Sequence, residues 1–73
     1  MNKYKITINH NKTFIRKADC CGEAIRRLCL QYKWNWDQYM IDAKTRGIEW
    51  GKYFIDKTGG INYKEFTVVE RVY

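Results

Sequence analysis

Proline is absent from this 73-residue chain, histidine occurs once and cysteine only three times. Each shortage excludes something. Without proline, turns fall to Gly, Asn and Asp, residues that tolerate a left-handed backbone. Cys20, Cys21 and Cys29 are an odd set bunched within ten positions. A small secreted scaffold uses an even set to staple distant segments, so a reducing, cytoplasmic setting is expected. Their spacing fits no zinc site, and His10 stands well apart from them. No metal and no cofactor is expected. His10 has Asn9, Asn11 and Lys12 beside it and no carboxylate nearby in sequence, so no acid–base pair is indicated. Gly59-Gly60 is followed by no phosphate-cradling pattern. Nothing marks an enzyme.

Long apolar runs are missing too. No stretch approaches the roughly 20 apolar residues of a membrane span, and Met1-Asn2-Lys3-Tyr4-Lys5 has no secretory apolar run. No membrane partner is expected. What the chain does have is 45% hydrophobic, 30% charged and 16% aromatic residues, the composition of a folded domain. A chain near this length buries only about 60% of its unfolded surface. Residues 1–73 are therefore expected to form one domain, with little room for a deep cleft.

Lys3 to Asn9 alternates Tyr4, Ile6 and Ile8 against Lys3, Lys5 and Thr7, which predicts a half-buried strand. Asn9-His10-Asn11-Lys12 is a turn signal, and Thr13 to Lys17 returns as a second strand. Asp19 suits an N-cap, with Glu23 in the first turn. Cys21, Ala24, Ile25, Leu28, Cys29 and Tyr32 then fall on one helical stripe. From Trp34 to Arg46, Asn35 and Gln38 imitate a capping box, Trp36, Tyr39, Met40 and Ala43 make a second stripe, and Gly47 suits a helix end. A short second helix is expected there. Ile48 to Ile55 and Tyr63 to Tyr73 read as strands around a turn at residues 56–60. The expected fold is a small α+β domain, β-β-α-α-β-β, a mostly antiparallel sheet with one or two helices packed on one face.

The formal net charge is +6, and it is unevenly spread. Residues 1–33 hold eight cations, Lys3, Lys5, Lys12, Arg16, Lys17, Arg26, Arg27 and Lys33, against Asp19 and Glu23. Residues 34–73 balance six cations with six acids. If hairpin and helix pack together, Lys3, Lys5, Lys12, Arg16, Lys17, Arg26 and Arg27 would flank a surface for phosphates. The plainer reading is a solvated face that aids solubility. Basic charge alone predicts salt-sensitive binding rather than sequence reading.

Aromatic residues supply two further candidates. Arg46-Gly47-Ile48-Glu49-Trp50-Gly51-Lys52-Tyr53 partly resembles the octamer of the RNA-recognition motif, with Arg-Gly first and aromatics fifth and eighth. It departs at Ile48, Glu49 and Gly51, and that family's βαββαβ order does not begin with a hairpin. Trp50 and Tyr53, three apart in a strand, point to opposite faces, so one is expected in the core and the other on the surface. Trp34, Trp36 and Tyr39 form a second group, either core or a protein-binding hot spot.

Lys, Ile, Tyr and Asn make up 28 of the 73 residues. With the small size, this bias resembles accessory proteins of phages and mobile elements from AT-rich bacterial genomes, anti-CRISPR-type inhibitors among them. The resemblance implies a non-enzymatic binding protein whose partner is a nucleic acid or a ribonucleoprotein. A second expectation is an inhibitor that blocks a host protein complex by surface binding through Trp34, Trp36 and Tyr39. A third is a homo-oligomer formed along an exposed edge of the last strand, Phe66 to Tyr73.

Overall fold

The structure, a computed structural model, describes residues 1–57 and 65–72, with the backbone alone for 39–42. Among the described residues, five strands and one helix follow one another as β1 (Asn2–Ile8), β2 (Lys12–Ala18), α1 (Cys21–Tyr32), β3 (Asn35–Thr45), β4 (Ile48–Asp56) and β5 (Glu65–Val72). The strands form one sheet in the order β2-β1-β5-β4-β3, every neighbouring pair antiparallel. This is a small α+β architecture with its helix on one face.

The alternation read from the sequence decides which face is covered. Tyr4, Ile6 and Ile8 point at α1, and so do Tyr53 and Ile55 of β4 and Thr67 and Val69 of β5. They meet Cys21, Ala24, Ile25, Leu28 and Cys29, the apolar stripe of the helix. All of these side chains are at most 2% exposed. At about 25 cal/mol per Å² of apolar surface removed from water, this layer is the main favourable term in folding.

Two hairpin turns among the described residues rest on left-handed backbone. In the first, Asn9 (φ 51°) and His10 (φ 61°) sit between Ile8 and Asn11, whose N–H donates to the Ile8 carbonyl at 3.2 Å. In the second, Arg46 (φ 53°) and Gly47 (φ 80°) join the paired residues Thr45 and Ile48. In this second turn, positive φ at both central residues is what a two-residue hairpin with the strands' twist requires, whereas the first is a three-residue loop, since Ile8 pairs with Lys12. Gly47 thus serves a strand turn, not a helix end.

That turn belongs to the main correction. Residues 35–45 are not a second helix but the edge strand β3. Its pairing with β4 shifts once between Gln38 and Met40 and again between Met40 and Ala43. Each shift inserts one extra residue, as a β-bulge does. The alternation is broken twice, and the apolar residues end up three or four apart, which imitates a helical stripe. A second correction concerns β5. Its described residues lie between β1 and β4 and pair with both, so within them the last strand is not an edge of the sheet. The edges are β2 and β3. Of the expected final strand, residues 63, 64 and 73 lie outside the described residues, as do 58–60 of the expected turn.

The helix also starts differently from expectation. Cys20, not Asp19, is the N-cap residue, and its side chain makes no capping bond. The cap comes from another strand: Glu49 of β4 accepts the Cys21 N–H at 2.9 Å and the Tyr4 hydroxyl at 3.2 Å. Asp19 contributes its own N–H, which donates to Glu23 at 3.2 Å. Burial works to raise the Glu49 pKa, yet the Cys21 N–H, the Cys21 thiol, the Tyr4 hydroxyl and the charge of Arg71 together hold it below the ordinary carboxylate range. The carboxylate also faces the positive end of the helix dipole. Tyr4 is shifted the other way: burial pushes its hydroxyl pKa up.

Candidate nucleic-acid interface

The face of the sheet opposite α1 is set by the other half of each alternation. Lys3, Lys5 and Thr7 of β1 lie beside Lys17, Ile15 and Thr13 of β2 in that order. On the other side they meet Val72, Glu70 and Val68 of β5. Across β5, Trp50 pairs with Glu70, Lys52 with Val68 and Phe54 with Phe66. Among the described residues, no second layer covers this face. Ile15 is 49% exposed, Lys3, Thr13 and Lys17 are exposed, and Lys5, Trp50, Lys52, Phe54 and Phe66 are half-buried.

Three rings line its β4–β5 half. The Trp50 indole N–H donates to the Thr45 hydroxyl at 2.9 Å, which fixes the ring against the β3–β4 hairpin. Phe54 and Phe66 meet edge to face, with centroids 6.2 Å apart, and His10 tilts against Phe66 at 5.9 Å. Between them, the Lys52 ammonium lies 5.6 Å from the Trp50 centroid and 5.7 Å from that of Phe66. Both are cation–π distances. Along the β1–β2 half run the lysines. Lys3 and Lys17 are directly opposite each other, a like-charge pair that costs stability unless an anion joins it. Among the described residues, no ion pair engages Lys3, Lys5 or Lys17.

The seven cations singled out in the sequence therefore do not share one surface. Lys3, Lys5 and Lys17 are on the open sheet face. Arg16 points to the helix side, where it donates to Gln31 at 2.6 Å and lies 5.5 Å from the Phe14 ring. Lys12 is exposed at the hairpin end, on the helix side of β2. Arg26 and Arg27 are on the outer side of α1, across the molecule from the open face, and Arg27 is ion-paired to Glu23. Strand and helix each expose basic residues, but the sheet lies between them.

The proposed protein-binding group is partly absorbed by packing. Trp34 and Trp36 lean on the core. Tyr32 stacks on Trp34 at 4.5 Å, the Lys57 ammonium is 4.9 Å from the Trp34 centroid, and Trp36 meets buried Tyr53 edge-on at 5.7 Å. The Tyr39 side chain lies outside the described residues. Trp50 and Tyr53 do face opposite ways, Trp50 outward and Tyr53 into the core. The three cysteines are free thiols, and Cys20 is exposed. Cys21 and Cys29 are buried in the helix stripe, and burial pushes the Cys29 thiol up to about 11, far from reactive thiolate. No group of three metal-ligating side chains occurs among the described residues, and no helix among them is long and apolar enough to cross a membrane.

Sequence reasoning leaves out Lys52, Phe54 and Phe66. Their signal is present: Trp50, Lys52 and Phe54 recur at every second residue, which puts them on one side of a strand. Phe66 joins them only through the β4–β5 register. The chain is thus a five-stranded antiparallel sheet with one face under a helix and the other lined by rings and lysines. No family model, curated protein or solved structure matches it, so its function has to be argued from this chemistry.

Proposed function

We propose that the protein is a small, non-enzymatic binding protein of phage or mobile-element type that acts on nucleic acid through the open face of its sheet. One observation carries this reading: Lys3, Lys5 and Lys17 stand without ion-pair partners among the described residues, on the same face as Trp50, Phe54 and Phe66. Cations neutralise phosphates and release counterions, and rings engage bases, so the two together match both parts of a polynucleotide. The outer side of α1 is the lesser candidate, because Glu23 already neutralises Arg27.

Fluorescence anisotropy with labelled oligonucleotides between about 50 and 300 mM salt tests it. Reversing Lys3, Lys5 and Lys17 to Glu should weaken binding at least tenfold. It should also reduce the salt slope by about 2, since each single-strand phosphate contact contributes about 0.7. Reversing Arg26 and Arg27 should change little. No binding by the wild type, or loss only with the helix variant, would overturn the assignment. The protein-directed inhibitor would instead depend on Trp34, Trp36 and Tyr39, with Tyr32, stacked on Trp34, 43% exposed.

A further inference from the structure

Resting on that reading, the geometry points to an unpaired strand, not a duplex, as the ligand of the open face, with bases stacked at Trp50 and at the Phe54–Phe66 pair. The first argument is shape. Five strands about 4.8 Å apart make a face about 19 Å across. The DNA major groove, about 12 Å wide, admits a helix or a two-stranded ribbon, so this face cannot enter it. A duplex would offer the face only its backbone, and the rings would have nothing to stack on. In an unpaired strand the base faces are open.

The second argument is spacing. Trp50 and Phe54 are four residues apart on β4, about 13 Å at the rise of a strand, and Phe66 is directly across from Phe54. The two ring sites are too far apart for adjacent stacked bases, so they take two bases with at least one nucleotide between them. Lys52 occupies that interval, its ammonium near both Trp50 and Phe66. A stacking base takes the place of the ammonium over the ring, which leaves Lys52 free to turn to the phosphate between the two sites. Lys5 is two strand spacings from Trp50, about 10 Å, with Glu70 between them. Lys3 and Lys17 continue the cationic side beyond it. The backbone of the bound strand then runs along the β1–β5 side of the rings, and the anion relieves the Lys3–Lys17 repulsion. Trp50 is held in advance by its bond to Thr45, so little ordering is needed on binding.

Two Trp50 variants separate stacking from simple packing. Trp50→Leu keeps an apolar side chain and removes the π face, whereas Trp50→Phe keeps a smaller ring. Anisotropy is read with single-stranded and duplex forms of the same labelled sequence, in DNA and RNA. The wild type should prefer the single strand by at least tenfold. Trp50→Leu should lose at least fivefold toward single strands and less than twofold toward duplex, with its salt slope unchanged. Trp50→Phe should recover most of the loss. Tryptophan emission should be quenched by unlabelled single strand in the wild type, and the quench should vanish in Trp50→Phe. Circular dichroism and urea melts confirm that both variants fold, and Phe66→Leu provides the same test at the second ring site if Trp50→Leu does not. Equal affinity for duplex and single strand, or a Trp50→Leu protein that binds like wild type, would overturn the unpaired-strand assignment while leaving nucleic-acid binding in place. Failure to bind either form would remove both.

Discussion

The two faces of the sheet are made from the same strands and differ in almost every chemical respect. On β1, Tyr4, Ile6 and Ile8 face the helix and are at most 1% exposed, while Lys3, Lys5 and Thr7 alternate with them on the other side. On β4, Tyr53 and Ile55 are buried and Trp50, Lys52 and Phe54 are turned outward. On the helix-covered face the Glu49 carboxylate accepts from the helix N-terminus and from the Tyr4 hydroxyl. The open face leaves like charges opposed and rings half-exposed. One face is organised for stability, and the other retains features that favour stability less than they would favour a ligand.

The largest expected effect tests that division directly. Leu28→Ala, beneath the sheet, should cost about 3 kcal/mol through lost burial and a residual cavity. Trp50→Leu should cost less than about 1 kcal/mol, as is usual for surface changes. Urea denaturation at neutral pH measures both, and equal losses would break the comparison. Next in size is Glu49→Gln, expected to cost about 1–2 kcal/mol by weakening the charged cap. Because the folded pKa of Glu49 is lowered, its stabilisation is fully present above the unfolded value of about 4.5. It is lost as pH falls from there through the folded value. The difference between wild type and Glu49→Gln should therefore shrink in acid denaturation profiles, and a constant difference from pH 7 to 3 would exclude this role. The smallest effect sharpens the contrast most. Lys17→Glu puts a carboxylate opposite Lys3 and should stabilise the fold by up to about 0.5 kcal/mol while weakening oligonucleotide binding. Stability and binding moving together at Lys17 would contradict the reading of this face.

Much of the covered face was legible in the sequence, because alternation in β1 and the helical-period stripe in α1 report burial directly. Tyr4, Ile6 and Ile8 and the stripe from Cys21 to Cys29 lie where those periods put them. The strand β3 was not legible. Two bulges reset its alternation, and Asn35 with Gln38 supplied a false capping signal. The open face was legible in pieces only. Lys3, Lys5 and Lys17 share a side by local parity, but bringing them to the side of the sheet that carries Trp50 and Phe66 requires β5 to pair with both β1 and β4. Local sequence says nothing of such a pairing. The capping of α1 by Glu49 was hidden for the same reason, with 28 residues separating the carboxylate from the N–H it accepts.

The central position of β5 also governs how the molecule comes into being. Lys3 pairs with Val72, so the strand that joins the β1–β2 hairpin to the β3–β4 hairpin is the last of the five to be synthesised. Until it arrives, no strand ladder connects the two hairpins, and the bonds from Glu49 to Tyr4 and to the Cys21 N–H are side-chain links across that gap. Closing so long a loop costs entropy before any contact repays it, and such high contact order slows folding. On a ribosome the two hairpins would wait with their inner edges unpaired, and one late strand would seal both edges in a single step.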